Sequence, residues 1–151
     1  LKNKKKMAKQ TTIEGIEQNR ASFAFQCAQD IAATQGKKSK EYKSYAKKLP
    51  MLIKTNGLGA SLAFVLSKSK NKEGELTAWG DLYSDIDRWL RQEHKIYLLG
   101  ESPKNDLSES IIELNSPEYR ALTVEILAFL NWLRRFAEGL IEGGEDETEI
   151  Q

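Results

Sequence analysis

The side chains best suited to chemistry are few in this chain, and they are scattered. His94 is the only histidine and Cys27 the only cysteine. Neither has a second ligand at metal-binding spacing, so a zinc site or a paired-histidine metal centre is not expected. His94 falls at an expected helix C-terminus, where the dipole favours a cation. Cys27 shares a stripe with Phe23 and Ile31 and reads as a small buried hydrophobe. Asp81 and Asp85 are one helical turn apart, a spacing at which two carboxylates could share a metal. Asp85 to Arg88 and Asp87 to Arg91, however, have the three- and four-residue spacing of ion pairs, acid first, which favours solvated pairing. Asn56-Gly57-Leu58-Gly59 joins two helical stretches and fits no phosphate-binding fingerprint. No nucleophile, general base or metal set emerges, so neither an enzyme nor a bound cofactor is expected.

What the sequence does concentrate is charge. The 151-residue chain carries a net charge of only +1. Yet ten lysines and a single acid, Glu41, lie between Lys37 and Lys72, whereas Glu138 to Gln151 holds six acids and no base. Such asymmetry suggests a polyanionic partner or a packed assembly. Lys40, Lys43, Lys47 and Lys54 fall on one side of a helix, opposite a stripe of Tyr42, Tyr45, Leu49 and Leu52. Lys48 lies beside them and Lys68 follows after the next helix. Like charges at helical spacing repel by a few tenths of a kcal/mol per pair. A phosphate backbone would relieve that repulsion and release counterions; the plainer alternative is a solvated lysine face. Arg134 and Arg135 form a second cluster, suited to bidentate phosphate contact. Glu138 is spaced to pair with either of them instead. The candidate phosphate-backbone contacts are therefore Lys40, Lys43, Lys47, Lys48, Lys54, Lys68, Arg134 and Arg135.

Helical periodicity must place these side chains. Thr11-Thr12-Ile13-Glu14 has a capping-box pattern, and Ile13, Ile16, Arg20, Phe23, Cys27 and Ile31 then recur at helical steps to a stop near Gly36. Ser39 can cap a second helix, which Pro50 should kink or break and which Asn56-Gly57 ends. Leu58 to Ser67 is apolar nearly all round and reads as a buried central helix. A lysine-rich loop follows, from Ser67 to Gly74. Leu76, Trp79, Leu82, Ile86 and Trp89 mark a fourth helix. Ile96 to Leu99 reads as coil, and Asp106 caps a short helix to Leu114. Ser116 as N-cap with Pro117 at the first helical position opens a last helix through Leu140. The expected fold is all-α, a compact bundle of about six helices. It divides into a flexible basic N-terminus at 1–10, one domain at 11–143 and an acidic tail at 144–151. Trp79, Trp89, Trp132, Phe64 and Phe129 are expected in the core. One cysteine permits no intrachain disulfide and suits a cytoplasmic setting. No apolar run approaches membrane-span length, and no apolar stretch follows the lysines at 2–6, so a signal-peptide reading fails.

Two blocks carry a family likeness. The first is Leu49-Pro50-Met51-Leu52-Ile53-Lys54-Thr55-Asn56-Gly57-Leu58-Gly59-Ala60-Ser61-Leu62-Ala63-Phe64. The second is Ser116-Pro117-Glu118-Tyr119-Arg120 with Ala128-Phe129-Leu130-Asn131-Trp132-Leu133-Arg134-Arg135-Phe136-Ala137. Together, over about Ile13 to Leu140, they resemble the small α-helical subunit family of the type III-B CRISPR effector, the Cmr complex. The resemblance implies a non-catalytic bundle that stacks with copies of itself and against the large subunit. It also implies that this bundle lines the path of guide RNA and target RNA in antiviral defence, while other subunits cleave and signal. It transfers no particular RNA-contacting residue, and it leaves the Ile96–Ser110 loop and the acidic tail without a counterpart.

Two other readings stand beside it. One is a pure protein–protein scaffold that scarcely touches RNA. The other is a helical regulator reading duplex DNA through a helix-turn-helix at Asn56-Gly57. In that motif the second helix reads bases with its N-terminal residues, and Leu58-Gly59-Ala60-Ser61-Leu62 has little to offer a base edge.

Overall fold

Leu122, Ile126, Phe129, Leu130, Leu133 and Ala137 recur at helical steps and are all buried, so the helix that carries them forms the spine of the molecule. The computed structural model describes residues 13–143. Its helices are α1 (Ile13–Thr34), α2 (Lys37–Asn56), α3 (Leu58–Ser67), α4 (Ala78–Leu90), α5 (Leu107–Ile112) and α6 (Ser116–Leu140). Helix α6 packs along α1 and α2, while α2 also packs on α3 and α4. Among the described residues the only β pairing is an isolated bridge between Lys70 and Leu76, so the fold is all-α as expected. The basic N-terminus, the Thr11-Thr12 part of the first capping box and the acidic tail lie outside the described residues.

The core is knitted by aromatic rings. Trp89 of α4 stacks on Phe129 of α6 at 5.6 Å, and Phe23 of α1 tilts against both. Trp132 is only half-buried in the seam between α1 and α6, where its indole N–H donates to Glu17 at 2.9 Å. Trp79 stacks face to face on Tyr45 at 4.0 Å.

Several local expectations change. Helix α2 runs unbroken through Pro50, because Leu49 and Ile53 on either side are both buried and tertiary packing outweighs the lost backbone hydrogen bond. It also starts before Ser39, at Lys37, and the Ser39 hydroxyl donates back to the Gly36 carbonyl at 2.8 Å. Helix α3 is not buried all round. It buries Leu58, Ser61, Leu62 and Val65, whereas Phe64 is 42% exposed and Leu66 41%. A short helix held from one side by α2, α4 and α5 has an outer face whatever its composition.

Thr77 caps α4 by accepting from the Gly80 N–H at 3.2 Å, which leaves Leu76 outside the helix and exposed. Ile96–Leu99 is a 3-10 turn rather than coil, with Leu98 and Leu99 buried. Asp106 caps α5, accepting from the Ser108 N–H at 3.1 Å, but the helix stops at Ile112 rather than Leu114. Asn115, not Ser116, caps α6. Its side chain accepts from the Glu118 N–H at 2.9 Å, and Glu118 accepts from the Asn115 N–H at 3.1 Å. That reciprocal pair satisfies two orphan donors, which Ser116 followed by Tyr119 could not do.

Candidate nucleic-acid interface

The lysine row lies on α2, whose buried residues Tyr42, Ala46, Leu49 and Ile53 turn the opposite side outward. Lys40, Lys47, Lys48 and Lys54 are exposed there, and Lys68 is exposed just past the end of α3. The Lys48 ammonium stands 6.0 Å over the Tyr45 ring, next to the Tyr45–Trp79 stack.

Lys43 differs from its neighbours. It is half-buried, and its ammonium donates to the carbonyls of Ile141 at 3.0 Å and Gly143 at 2.9 Å. Those carbonyls lie just beyond α6, where orphan acceptors and the negative end of the helix dipole favour a cation. Spacing along α2 could not reveal this, because the partner is a backbone end ninety-eight residues or more away. Lys40 follows the same corner, with its Cε 2.8 Å from where a Cβ on Gly143 would stand.

Arg134 and Arg135 are on α6, on a separate helix. Arg135 is exposed, while Arg134 is half-buried with its Nε covered and unpartnered among the described residues. Among the described residues, neither takes up the pairing with Glu138 that spacing suggested.

The acids fall into two clusters, both missed as clusters at the level of sequence. Glu125 of α6 is 6% exposed and accepts from three groups. Arg20 of α1 donates from Nε at 2.7 Å and Nη2 at 3.1 Å, Lys95 donates from the α4–α5 connection, and the Trp89 indole donates at 3.3 Å. Burial pushes the Glu125 carboxyl up, but the hydrogen bonds and charges of Arg20 and Lys95 outweigh it and hold the group below its ordinary value. The clue was present, since Arg20 and Glu125 each interrupt an apolar stripe.

Asp85 is the second hub. It is 8% exposed rather than solvated, and it accepts from the Tyr42 hydroxyl and from Arg88, each at 2.7 Å. Burial raises its carboxyl despite those two donors. Asp81 pairs outward with Lys38 at 2.9 Å, and the Asp87–Arg91 pair forms as spaced, at 3.0 Å.

Neither cluster is arranged for acid–base work, because each carboxylate is already committed to cations and hydroxyls. Burial, then Asp85, pushes the Cys27 thiol up to about 12, so at neutral pH it is no nucleophile. His94 does not sit at the helix end. It lies past Arg91, the residue that ends α4, with its ring edge against Trp89, and burial and Lys95 lower its affinity for a proton. Among the described residues no three metal-ligating side chains converge. Among the described residues no helix is long and apolar enough to cross a membrane.

The turn into α3 is also occupied. The backbone N–H of Gly59 donates to the Tyr119 hydroxyl at 2.8 Å, and Leu58 and Leu62 are fully buried. The start of α3 therefore points into the protein rather than toward a DNA groove. What remains accessible is a basic face able to attract a polyanion.

The chain is similar to known CRISPR-associated proteins. Residues 16–140 match a family described as CRISPR-associated protein (Cas_Cmr5). A curated relative from Thermus thermophilus, named CRISPR system Cmr subunit Cmr5, is 34% identical over 110 residues, covering 73% of this chain and 83% of the relative. A crystal structure titled as a CRISPR-associated Cmr5 family protein from the same organism superposes with a TM-score of 0.63 at 32% identity, covering 83% of this chain and 96% of that one.

Proposed function

Since the chain belongs to the CRISPR-associated Cmr5 family, we propose that it is a non-catalytic subunit of a type III-B Cmr complex that contacts guide and target RNA through the basic face of α2. Membership makes the other Cmr subunits its partners. The finer reading adds the large subunit and further copies of this chain as neighbours, in a cytoplasmic defence complex.

The observation that carries the RNA reading is the outward row of Lys40, Lys47 and Lys54 at seven-residue steps on one helix, with Lys48 beside it. Seven residues are nearly two full turns, so the three side chains line up along the axis. A linear array of ammonium groups suits a phosphate backbone and carries no base-reading geometry, which agrees with recognition of RNA by shape and charge. Lys43 is held by α6 and serves the fold first. One such face binds weakly alone, and copies repeated along a strand multiply the effect.

The test is RNA binding by the reconstituted complex with Lys47, Lys48 and Lys54 replaced together by Ala. Affinity is expected to fall alike for all RNA sequences, and the slope of log affinity against log salt to flatten by about 0.7 per lost contact. Unchanged affinity and slope in an intact assembly would leave the scaffold reading in its place.

A further inference from the structure

We propose that the hairpin between α3 and α4, residues 68–77, forms with Phe64 a second nucleic-acid site. It takes an unpaired strand of RNA, with a base stacked on the Phe64 ring and phosphates on Lys68, Lys70 and Lys72. The site rests on RNA as the ligand, as in the reading above, but uses none of the α2 lysines.

The hairpin is held at its base and at its tip. The Ser69 hydroxyl donates to the Val65 carbonyl at 2.8 Å, and the Thr77 N–H donates to the Ser69 carbonyl at 2.9 Å. The Thr77 hydroxyl donates to the Lys68 carbonyl. At the tip the Asn71 N–H donates to the Glu75 carbonyl at 2.9 Å, while the Asn71 side-chain oxygen accepts from the N–H groups of Glu73 and Glu75 at 3.0 and 2.9 Å. Gly80 closes the base, since a Cβ there would stand 2.2 Å from the Ser69 carbonyl oxygen. Lys68, Lys70 and Lys72 are all exposed on a backbone already in place, so a strand that binds them orders side chains only.

The acids of the hairpin are turned aside. Lys70 pairs with Leu76 across the hairpin, and Asn71 bonds to Glu75. Successive side chains of a strand point to opposite faces, so Glu75 projects away from the face of Lys70 and Leu76. Glu73 stands in the turn itself.

Phe64 adds what ammonium groups cannot. It is 42% exposed and lies one helical turn before Lys68, on the same side of α3. Its contact with Trp79 is edge to face, at 5.5 Å and 82°, which leaves at least one face of the Phe64 ring clear of the indole. An aromatic face beside a run of cations is the combination that binds single strands, since bases stack on the ring while phosphates pair with the cations. A duplex keeps its bases stacked on one another and offers phosphates alone. A protein segment is the poorer occupant, because the centres of protein interfaces are depleted of lysine.

Ultraviolet crosslinking of the full chain to a uridine dodecamer, read by mass spectrometry, tests the stack, and an adduct on Phe64 is expected. Phe64→Leu keeps apolar bulk at an exposed position and removes the aromatic face. It should weaken dodecamer binding about five- to thirtyfold, the loss of one base–aromatic stack. Binding of the same strand paired with oligo-adenosine should not change, and Phe64→Tyr should restore the affinity for the single strand. Lys70→Ala/Lys72→Ala should flatten the salt slope for the dodecamer by about 0.7 per lost contact. No adduct on Phe64, an equal loss for strand and duplex, or no loss at all in a folded Phe64→Leu chain would overturn the proposal. Release of another subunit from the reconstituted complex by Phe64→Leu, with dodecamer binding unchanged, would make the patch a protein contact and overturn it too. The α2 variant Lys47→Ala/Lys48→Ala/Lys54→Ala separates the two sites. If it binds the dodecamer as the parent does while Phe64→Leu does not, the hairpin site stands and the α2 reading falls; the reverse pattern removes the hairpin site alone. A parent that binds neither strand nor duplex, by itself or in the complex, would overturn both.

Discussion

The hydroxyl of Tyr119, at the start of α6, accepts a 2.8 Å hydrogen bond from the backbone N–H of Gly59, at the start of α3. The two residues are sixty positions apart and belong to the two blocks that carry the family likeness. Gly57, which caps α3, has no side chain to satisfy the first turn, so Tyr119 supplies the missing acceptor. Tyr119→Phe keeps the ring and removes only that acceptor. It is expected to cost about 1 kcal/mol in denaturant melts. Gly59→Ala, whose added Cβ would stand 3.6 Å from the same oxygen in ordinary contact, should be tolerated. A silent Tyr119→Phe would show that water replaces the bond.

Gly80 gives the opposite result for the same substitution. A Cβ there would fall 2.2 Å from the Ser69 carbonyl oxygen and 2.8 Å from Leu76 Cδ2. Alanine is the better helix former by about 1 kcal/mol, yet Gly80→Ala is expected to destabilise by about 1–3 kcal/mol, as overpacking does. A thermal melt with an unchanged or raised midpoint would mean that the hairpin before α4 yields freely.

Acid should attack the fold through Glu125. Its folded carboxyl lies below the unfolded one, so its contribution is present above the ordinary value of 4.5 and is lost as pH falls through the folded value. Glu125→Gln should flatten the fall in stability on acidification. Glu125→Ala, which strands Arg20 and Lys95, should cost about 3–5 kcal/mol at neutral pH. Asp85 works in the opposite sense. Its carboxyl is raised, so the folded state takes up that proton first and gains on acidification. Asp85→Asn should therefore steepen the acid limb of a pH series of urea melts, and a flatter limb would contradict the assignment.

The lysines of α2 should separate by role. Lys43→Ala leaves the carbonyls of Ile141 and Gly143 without their cation and is expected to cost about 1–2 kcal/mol. Lys54→Ala, on the exposed face, should stay within about 0.5 kcal/mol of the parent. Equal effects in equilibrium unfolding would return Lys43 to the surface row.

Much of the architecture was legible because helical periodicity depends on local spacing. The stripe of Leu122, Ile126, Phe129 and Leu133 was readable because each member faces the same core, and all are buried. Phe64 was misread because an apolar composition does not say how many neighbours a helix will have. The Asn115 cap was missed for a smaller reason: Ser116 and Pro117 made a plausible start one residue later, and only the return bond from Glu118 decides between them. The Glu125 and Asp85 clusters depend on side chains from helices far apart in sequence, and local spacing cannot assign such pairs. The lysine row was visible as a row, but the diversion of Lys43 to the end of α6 was not.

The parallel Tyr45–Trp79 stack adjoins Lys48, so the basic face has an optical reporter built into its margin. Indole emission follows the local field and dielectric, and here one ring separates the chromophore from an ammonium group. Trp89, by contrast, is sealed beside Glu125, and Trp132 is anchored to Glu17 across the α1–α6 seam. With those two indoles replaced by phenylalanine, the colour of Trp79 alone would follow traffic over the face in real time, without a label attached to the protein or to whatever settles on it.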